Sequence, residues 1–245
     1  MTASTTERQQ RFTGRRVVVT GAAGGVGTSV CELFRAEGAT VLGGDLAAAD
    51  GVAELDLTDD ASVASFAAHA VAELGGVDVL CNVAGMQAFK HFADMSAGLI
   101  RKHLDVNTVG PLILTQALLP ELIESKGNVV SITSISAMMG QPYNVAYCAS
   151  KAGLLLGMRA LAVEYASKGI RVNCISPGGI DTAMTEKAAH DLPHDIDWNL
   201  ISKSQGVIPG FMPPSDIAEA VLFLASDAAS SITAANLVVD RGVIW

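Results

Sequence analysis

Tyr147 and Lys151 stand four residues apart, and Ser134 lies thirteen residues before the tyrosine. On a helix, positions i and i+4 share a face, which brings the Lys151 ammonium toward the Tyr147 phenol. A free phenol has a pKa near ~10 and is a poor base at neutral pH; an adjacent cation favours the phenolate. A serine hydroxyl from a neighbouring strand end would bind the same substrate oxygen. The trio implies acid–base chemistry on an alcohol or a carbonyl. Taken alone, Tyr-x-x-x-Lys also fits a solvated helix face, so the reading depends on what else the chain carries.

A second pattern lies far upstream. The β-rich run at 15–20 meets Gly21-Ala22-Ala23-Gly24-Gly25-Val26-Gly27, after which a helical pattern begins. Strand, glycine turn and helix form the context in which a pyrophosphate is bound: glycines let the backbone approach the phosphates, and the helix N-terminus offers unpaired N–H groups and a positive dipole end. The next strand ends at Asp45, followed by Leu46, about 20 residues past the turn, where an acidic side chain binds the adenosine ribose hydroxyls. A carboxylate there repels a 2′-phosphate, and no Lys or Arg in the turn or just after Asp45 offsets it. NAD(H) is therefore expected over NADP(H).

These groups need a scaffold, and the chain alternates accordingly. Apolar β-rich runs occur at 16–20, 40–44, 77–82, 128–133 and 171–175, with a weaker one at 52–56 and a last one at 237–240. Helical periodicity fills 26–37, 61–74, 100–125, 146–168 and 215–225. The alternation predicts an α/β, Rossmann-like, doubly wound parallel sheet of about seven strands, helices on both faces, in a single domain. In such sheets ligands bind outside the carboxyl ends of the strands. The glycine turn, Asp45, the segment 82–85, Ser134 and the segment 177–182 all follow strands, so they are expected to converge on one crevice.

From about Gly14 to Gly242 the chain resembles the short-chain dehydrogenase/reductase family in its small single-domain form. The family's T-G-x-x-x-G-x-G is matched by Thr20, Gly21, Gly25 and Gly27, and its acidic turn near the adenine by Asp56 and Leu57. Its N-N-A-G appears as Asn82-Val83-Ala84-Gly85, its helix asparagine as Asn107, its active serine as Ser134, and its P-G motif as Pro177-Gly178-Gly179-Ile180-Asp181-Thr182. The sequence departs from the family at Val83, at Ala235, and at Arg241 within Val239-Asp240-Arg241-Gly242. The resemblance implies hydride transfer between nicotinamide C4 and a carbinol carbon. Ser134 would hold the substrate oxygen and Tyr147 pass the proton. Lys151 would depress the tyrosine pKa and hold the nicotinamide ribose, and Asn107 order a relay water. Ile180 and Thr182 would flank the nicotinamide. It also implies a homotetramer packed through the two long helices.

Bulk properties narrow the rest. The 245 residues carry a net charge of −9, and only 17% are charged while 50% are hydrophobic. Phosphate backbones call for Lys and Arg, so a nucleic-acid partner is disfavoured. The polar first eleven residues lack a signal peptide's apolar core and are expected to form a disordered tail. No membrane span is expected, and a cytoplasmic protein follows. Cys31, Cys81, Cys148 and Cys174 have neither zinc-ligand nor C-x-x-C spacing and are expected to be buried free thiols. His190 and His194 are separated by Pro193, which disfavours a shared helix face, so no metal is expected; His69, His91 and His103 have no evident partner. The irregular stretch 183–214, with Met184, Trp198, Phe211 and Met212, is expected to be either a substrate lid or a subunit contact. The leading function is an NAD-dependent dehydrogenase of a secondary alcohol or ketone. A 3-oxoacyl-carrier-protein reductase using NADPH is the alternative, and a non-catalytic dinucleotide-sensing or scaffold protein the remote one.

Overall fold

A computed structural model describes residues 10–202 and 205–244. Seven parallel strands form one sheet in the order β3-β2-β1-β4-β5-β6-β7. They are β1 (Arg16–Thr20), β2 (Thr40–Asp45), β3 (Val52–Glu54), β4 (Val79–Asn82), β5 (Asn128–Ile132), β6 (Arg171–Pro177) and β7 (Asn236–Val239). Both faces are covered, and the strands show it: Val17, Val19, Val79, Cys81 and Val130 pack on one side, Val18, Leu80 and Val129 on the other. Each face thus draws alternate residues, as a period of two requires.

Helices α1 (Gly25–Ala36) and α9 (Pro214–Ala225) cover the first face. Helices α2 (Asp60–Leu74), α4 (Gly110–Ala117) and α6 (Val145–Tyr165) cover the second, with α5 (Leu119–Glu124) contributing Leu122. The order reverses between β1 and β4. The crossovers leave the sheet on opposite sides there and open a crevice at the carboxyl ends.

Three features depart from the expected elements. The helix predicted over 100–125 is α3 (Ala97–Leu104), a π-helical turn at Asp105–Val109, then α4 and α5. Pro111 explains the break: it has no N–H to give, and its ring collides with the carbonyl four residues back. The stretch 183–214 is more ordered than its composition suggests, with α7 (Ala183–His190) and the short α8 (Trp198–Ile201). At the amino end, positions 1–9 of the expected tail lie outside the described residues, whereas Arg11 forms a two-armed ion pair with the buried Glu37.

Candidate active site

The crevice is a single cleft of about 710 Å³ running from the glycine turn to α7. At its dinucleotide end, the turn is positioned by backbone geometry. Gly21 has φ +67°, and a Cβ on it would stand 2.8 Å from the Ala84 Cα. A Cβ on Gly27 would overlap the Gly21 carbonyl oxygen. Only glycine meets the backbone conformation at the first position and the close approach at the second. The N-cap of α1 is Gly24, which supplies no side-chain hydrogen bond. The first N–H groups of the helix, on Gly25, Val26 and Gly27, are left without a side-chain acceptor and fit an anionic pyrophosphate.

The carboxylate of Asp45, at the end of β2, accepts from the N–H of Ala23 at 2.9 Å and of Leu46 at 2.8 Å. It is thereby fixed beside the turn with lone pairs to spare for hydroxyl donors. Asp56 accepts from both the backbone and the hydroxyl of Thr58, at 2.8 and 2.7 Å, which hold it below the usual carboxylate range. Leu46, Asp56 and Leu57 line the same end. Thr20, fully buried, accepts from the N–H groups of Val83 and Ala84 at 3.1 Å and so ties the two strands that flank the switch point.

Ala84, Gly85, Pro177, Gly178, Ile180 and Thr182 all line the cleft. Asn82 does not. It lies 1% exposed behind the floor, donating to Ser131 at 3.2 Å and Thr115 at 3.3 Å, bonds that brace the end of β4. Asn107 is likewise spent internally. Projected by the π-helical turn, its side chain accepts from Met86 N–H at 2.8 Å and donates to the Met86 carbonyl at 2.9 Å and to Ser150 at 3.0 Å. It fastens the loop after β4 to α6.

Ser134, Tyr147 and Lys151 meet in the middle of the cleft. Ser134 caps a short 3₁₀ turn, its Oγ accepting from Ser136 N–H at 3.1 Å, and it hydrogen-bonds the Tyr147 phenol. Lys151 lies 3% exposed, its Nζ donating to the Ile132 carbonyl at 2.9 Å and standing 5.9 Å from the Tyr147 ring centre. The expected depression of the tyrosine pKa is reversed in the protein itself. Burial pushes the phenol up to about 12, opposed by the Ser134 hydrogen bond, and burial brings Lys151 down to about 8. Loss of water outweighs an ammonium whose charge is directed at a carbonyl.

The substrate end is formed by Met86, Gln87, Phe89, Gln141, Gly179, Met184, Leu192 and Phe211. Of the apolar residues expected from 183–214, Met184 and Phe211 reach the cleft. Trp198 is 66% exposed away from it, and Met212 is packed in the core. Met138, Met139, Tyr143 and Asn144 do not line it. Sequence reasoning missed two participants. Ser136 is a lining residue with no motif to mark it. His91, thought partnerless, pairs with Asp195 at 2.7 Å and stacks edgewise on Tyr143. The two partners of His91 lie 104 and 52 residues away by number, so no local signal exposes them. Cys148, expected buried, is half-exposed; the other three thiols are buried, and all four are free.

A family model described as enoyl-(acyl carrier protein) reductase matches residues 21–244. Among curated relatives, the cis-4-hydroxycyclohexanecarboxylate dehydrogenase of Sinomonas cyclohexanicum is 36% identical over 251 residues, 95% of this chain and 98% of the relative. The 3-oxoacyl-[acyl-carrier-protein] reductase of Thermotoga maritima is 32% identical over 250 residues, 96% and 99% of the two chains. Among solved structures, a short chain dehydrogenase from Mycobacterium paratuberculosis bound to NAD superposes with a TM-score of 0.88 at 28% identity, covering 95% of this chain and 98% of that one. One from Burkholderia cenocepacia in complex with NADP gives 0.84 at 27% identity, covering 95% and 99%.

Proposed function

The chain belongs to the short-chain dehydrogenase/reductase family, oxidoreductases that act on CH–OH groups with a nicotinamide dinucleotide, and from that premise we propose an NAD-preferring dehydrogenase of neutral secondary alcohols and their ketones. The observation that carries the reading is the meeting of Ser134, Tyr147 and Lys151 in one cleft with the glycine turn and Asp45. When bound, the nicotinamide supplies or accepts the hydride. The residues that would hold the dinucleotide are the α1 N-terminus and Gly21 at the pyrophosphate, Asp45 with Leu46 at the adenosine ribose, and Asp56 and Leu57 beside the adenine. Ala84, Gly85, Pro177, Gly178, Ile180 and Thr182 line the remaining wall.

In that arrangement Ser134 Oγ donates to the substrate oxygen and steadies charge building on it. Tyr147 takes or returns the proton at the same oxygen. Lys151 sits under the tyrosine as the cation that offsets phenolate charge, and Asn107 fixes the loop that faces it. The preference for NAD rests on Asp45. Among the described lining residues Lys151 is the one cation, and it belongs to the catalytic group, so nothing beside Asp45 would neutralise a 2′-phosphate. The test is turnover of an alcohol panel with both dinucleotides, by the wild type and Tyr147→Phe. Equal activity of the two proteins, or a wild type that uses NADP more efficiently than NAD, refutes the corresponding half of the proposal.

The carrier-protein reductase reading has one observation against it in the same cleft: the adenosine end presents Asp45 and Asp56 with no Lys or Arg among the described lining residues.

A further inference from the structure

Beyond the three catalytic groups, one polar side chain at the substrate end is held in a fixed orientation. Gln141 lines the cleft, and its Oε1 accepts two hydrogen bonds at 2.8 Å, from Ser136 Oγ and from Asn144 Nδ2. Asn144 is fully buried and Ser136 is 3% exposed, so both donors are anchored in the protein. The backbone of Gln141 is pinned as well, its N–H lying 3.4 Å from the Cys148 sulfur. With the amide oxygen saturated by two donors, the amide nitrogen is left as the outward group, and it makes no hydrogen bond among the described residues. A planar amide held through its oxygen points its N–H groups in a set direction.

That direction matters because of where Gln141 sits. Ser136, one of its two anchors, also donates its N–H to Ser134 Oγ, the group that faces the reacting oxygen. The amide is therefore joined to the reaction centre by two hydrogen bonds through a single residue. The lining of this end is mainly apolar, with Met86, Phe89, Met184, Leu192 and Phe211 beside the uncharged Gln87. Among the described lining residues the charged ones are Asp45, Asp56 and Lys151, none of them free at this end of the cleft to pair with a charged substrate.

We propose that Gln141 is a specificity-determining residue that donates to a second, uncharged oxygen on the carbon next to the reacting carbinol, so that the substrate class is a neutral, mainly apolar secondary alcohol carrying a vicinal oxygen. This rests on the dehydrogenase reading above. A substrate lacking the second oxygen leaves the oriented N–H unpaired in an apolar wall and is discriminated against. A substrate with a carboxylate finds no free cation among the described lining residues to receive it.

The test compares oxidation of cyclohexanol, 2-methoxycyclohexanol and cyclohexane-1,2-diol, each stereoisomer separately, by the wild type and Gln141→Glu. The glutamate keeps one oxygen for Ser136 and Asn144 and replaces the outward donor with an acceptor. Its charge acts on all three substrates alike, so ratios of kcat/KM are read. The wild type is expected to favour the methoxy alcohol and the diol over cyclohexanol by about ten-fold. In Gln141→Glu the methoxy preference is expected to vanish while the diol preference survives, because a hydroxyl can donate to the carboxylate and an ether cannot. A purely structural role for Gln141 would not separate ether from diol.

Retention of the methoxy preference in Gln141→Glu, or its absence in the wild type, overturns the proposal. Should Gln141→Glu fail to bind NADH, Gln141→Met decides: both preferences are lost if the inference holds and kept if it does not. Absence of turnover on all three alcohols by a wild type that oxidises others overturns this substrate class and leaves the dehydrogenase reading standing. A wild type that binds NADH yet oxidises no alcohol sinks both.

Discussion

The two ends of the cleft are built by different means. The dinucleotide end is made largely of backbone: a glycine turn, a helix start and strand ends, with Asp45 and Thr20 bonded to neighbouring N–H groups. The substrate end is made of side chains contributed by the loop after β4, the loop before α6 and the segment around α7. Those three are joined by side-chain contacts, with His91 on Asp195 at 2.7 Å and the Tyr143 hydroxyl accepting from Asp197 N–H at 2.8 Å. A site made of backbone tolerates almost no substitution at its glycines. A site made of side chains can change ligand while the fold stays the same, which is why relatives named for such different activities can belong to one family.

The contrast is sharpest at the junction of the two ends. Tyr147→Phe should lower kcat by roughly 10²–10⁴-fold while NADH binding, read by fluorescence titration, stays near the wild-type value. At the backbone end, Gly27→Ala should cost about 3 kcal/mol or abolish folding, because its methyl overlaps the Gly21 carbonyl; urea unfolding measures it. A Gly27→Ala protein of wild-type stability would mean that the turn is not packed this way. Asp45→Ser should shift the NADP/NAD ratio of kcat/KM by about ten-fold or more toward NADP, since it removes a charge but no fold contact larger than two hydrogen bonds.

The titrations of the catalytic pair give a fourth test. Lys151 has a folded pKa lowered to about 8, below its ordinary value of 10.5, so between those values the unfolded chain holds more protons. Stability therefore rises with pH across about 8 to 10.5 from this group. Tyr147 acts oppositely: its folded pKa near 12 lies above the ordinary 10, so stability falls as pH rises above 10. Melting curves of the dinucleotide-free protein should show the rise, and Lys151→Met should remove it. Ultraviolet difference titration against Tyr147→Phe should detect no Tyr147 phenolate at pH 9. A phenolate signal there would restore the depressed pKa that the Tyr-x-x-x-Lys spacing suggests.

The smallest effect belongs to the substrate end. Asp195→Asn removes the partner of His91 on an exposed loop, where screening by water leaves ion pairs weak. A change of about two-fold in KM, with kcat and NADH affinity unaltered, is the expected result.

The legibility of these residues in the sequence follows the same division. Glycines at 21 and 27, the strand–turn–helix context and Asp45 at its distance declare themselves, because a backbone conformation or a repulsive charge restricts the residue type at each position. The Tyr147–Lys151 spacing is set by one helix and is equally visible. Asn82 and Asn107 are visible as motif members, whereas their bonds to Ser131, Thr115, Met86 and Ser150, which brace the loops, are not. The π-helical turn that aims Asn107 hides inside an apparently continuous helical pattern; Pro111 is its one local sign.

By itself, then, the chain determined the parallel α/β sheet, the glycine turn that suits a dinucleotide and the three side chains proposed to react, because each depends on local periodicity or on motif spacing. Tertiary structure alone decided that burial lifts the Tyr147 pKa, that Trp198 faces outward while Met184 and Phe211 face in, and that the Gln141 amide oxygen is held at the cleft wall by Ser136 and Asn144. Those outcomes depend on how much water is excluded and on which distant segments arrive beside one another. Neither quantity is encoded in the spacing of residues along a chain.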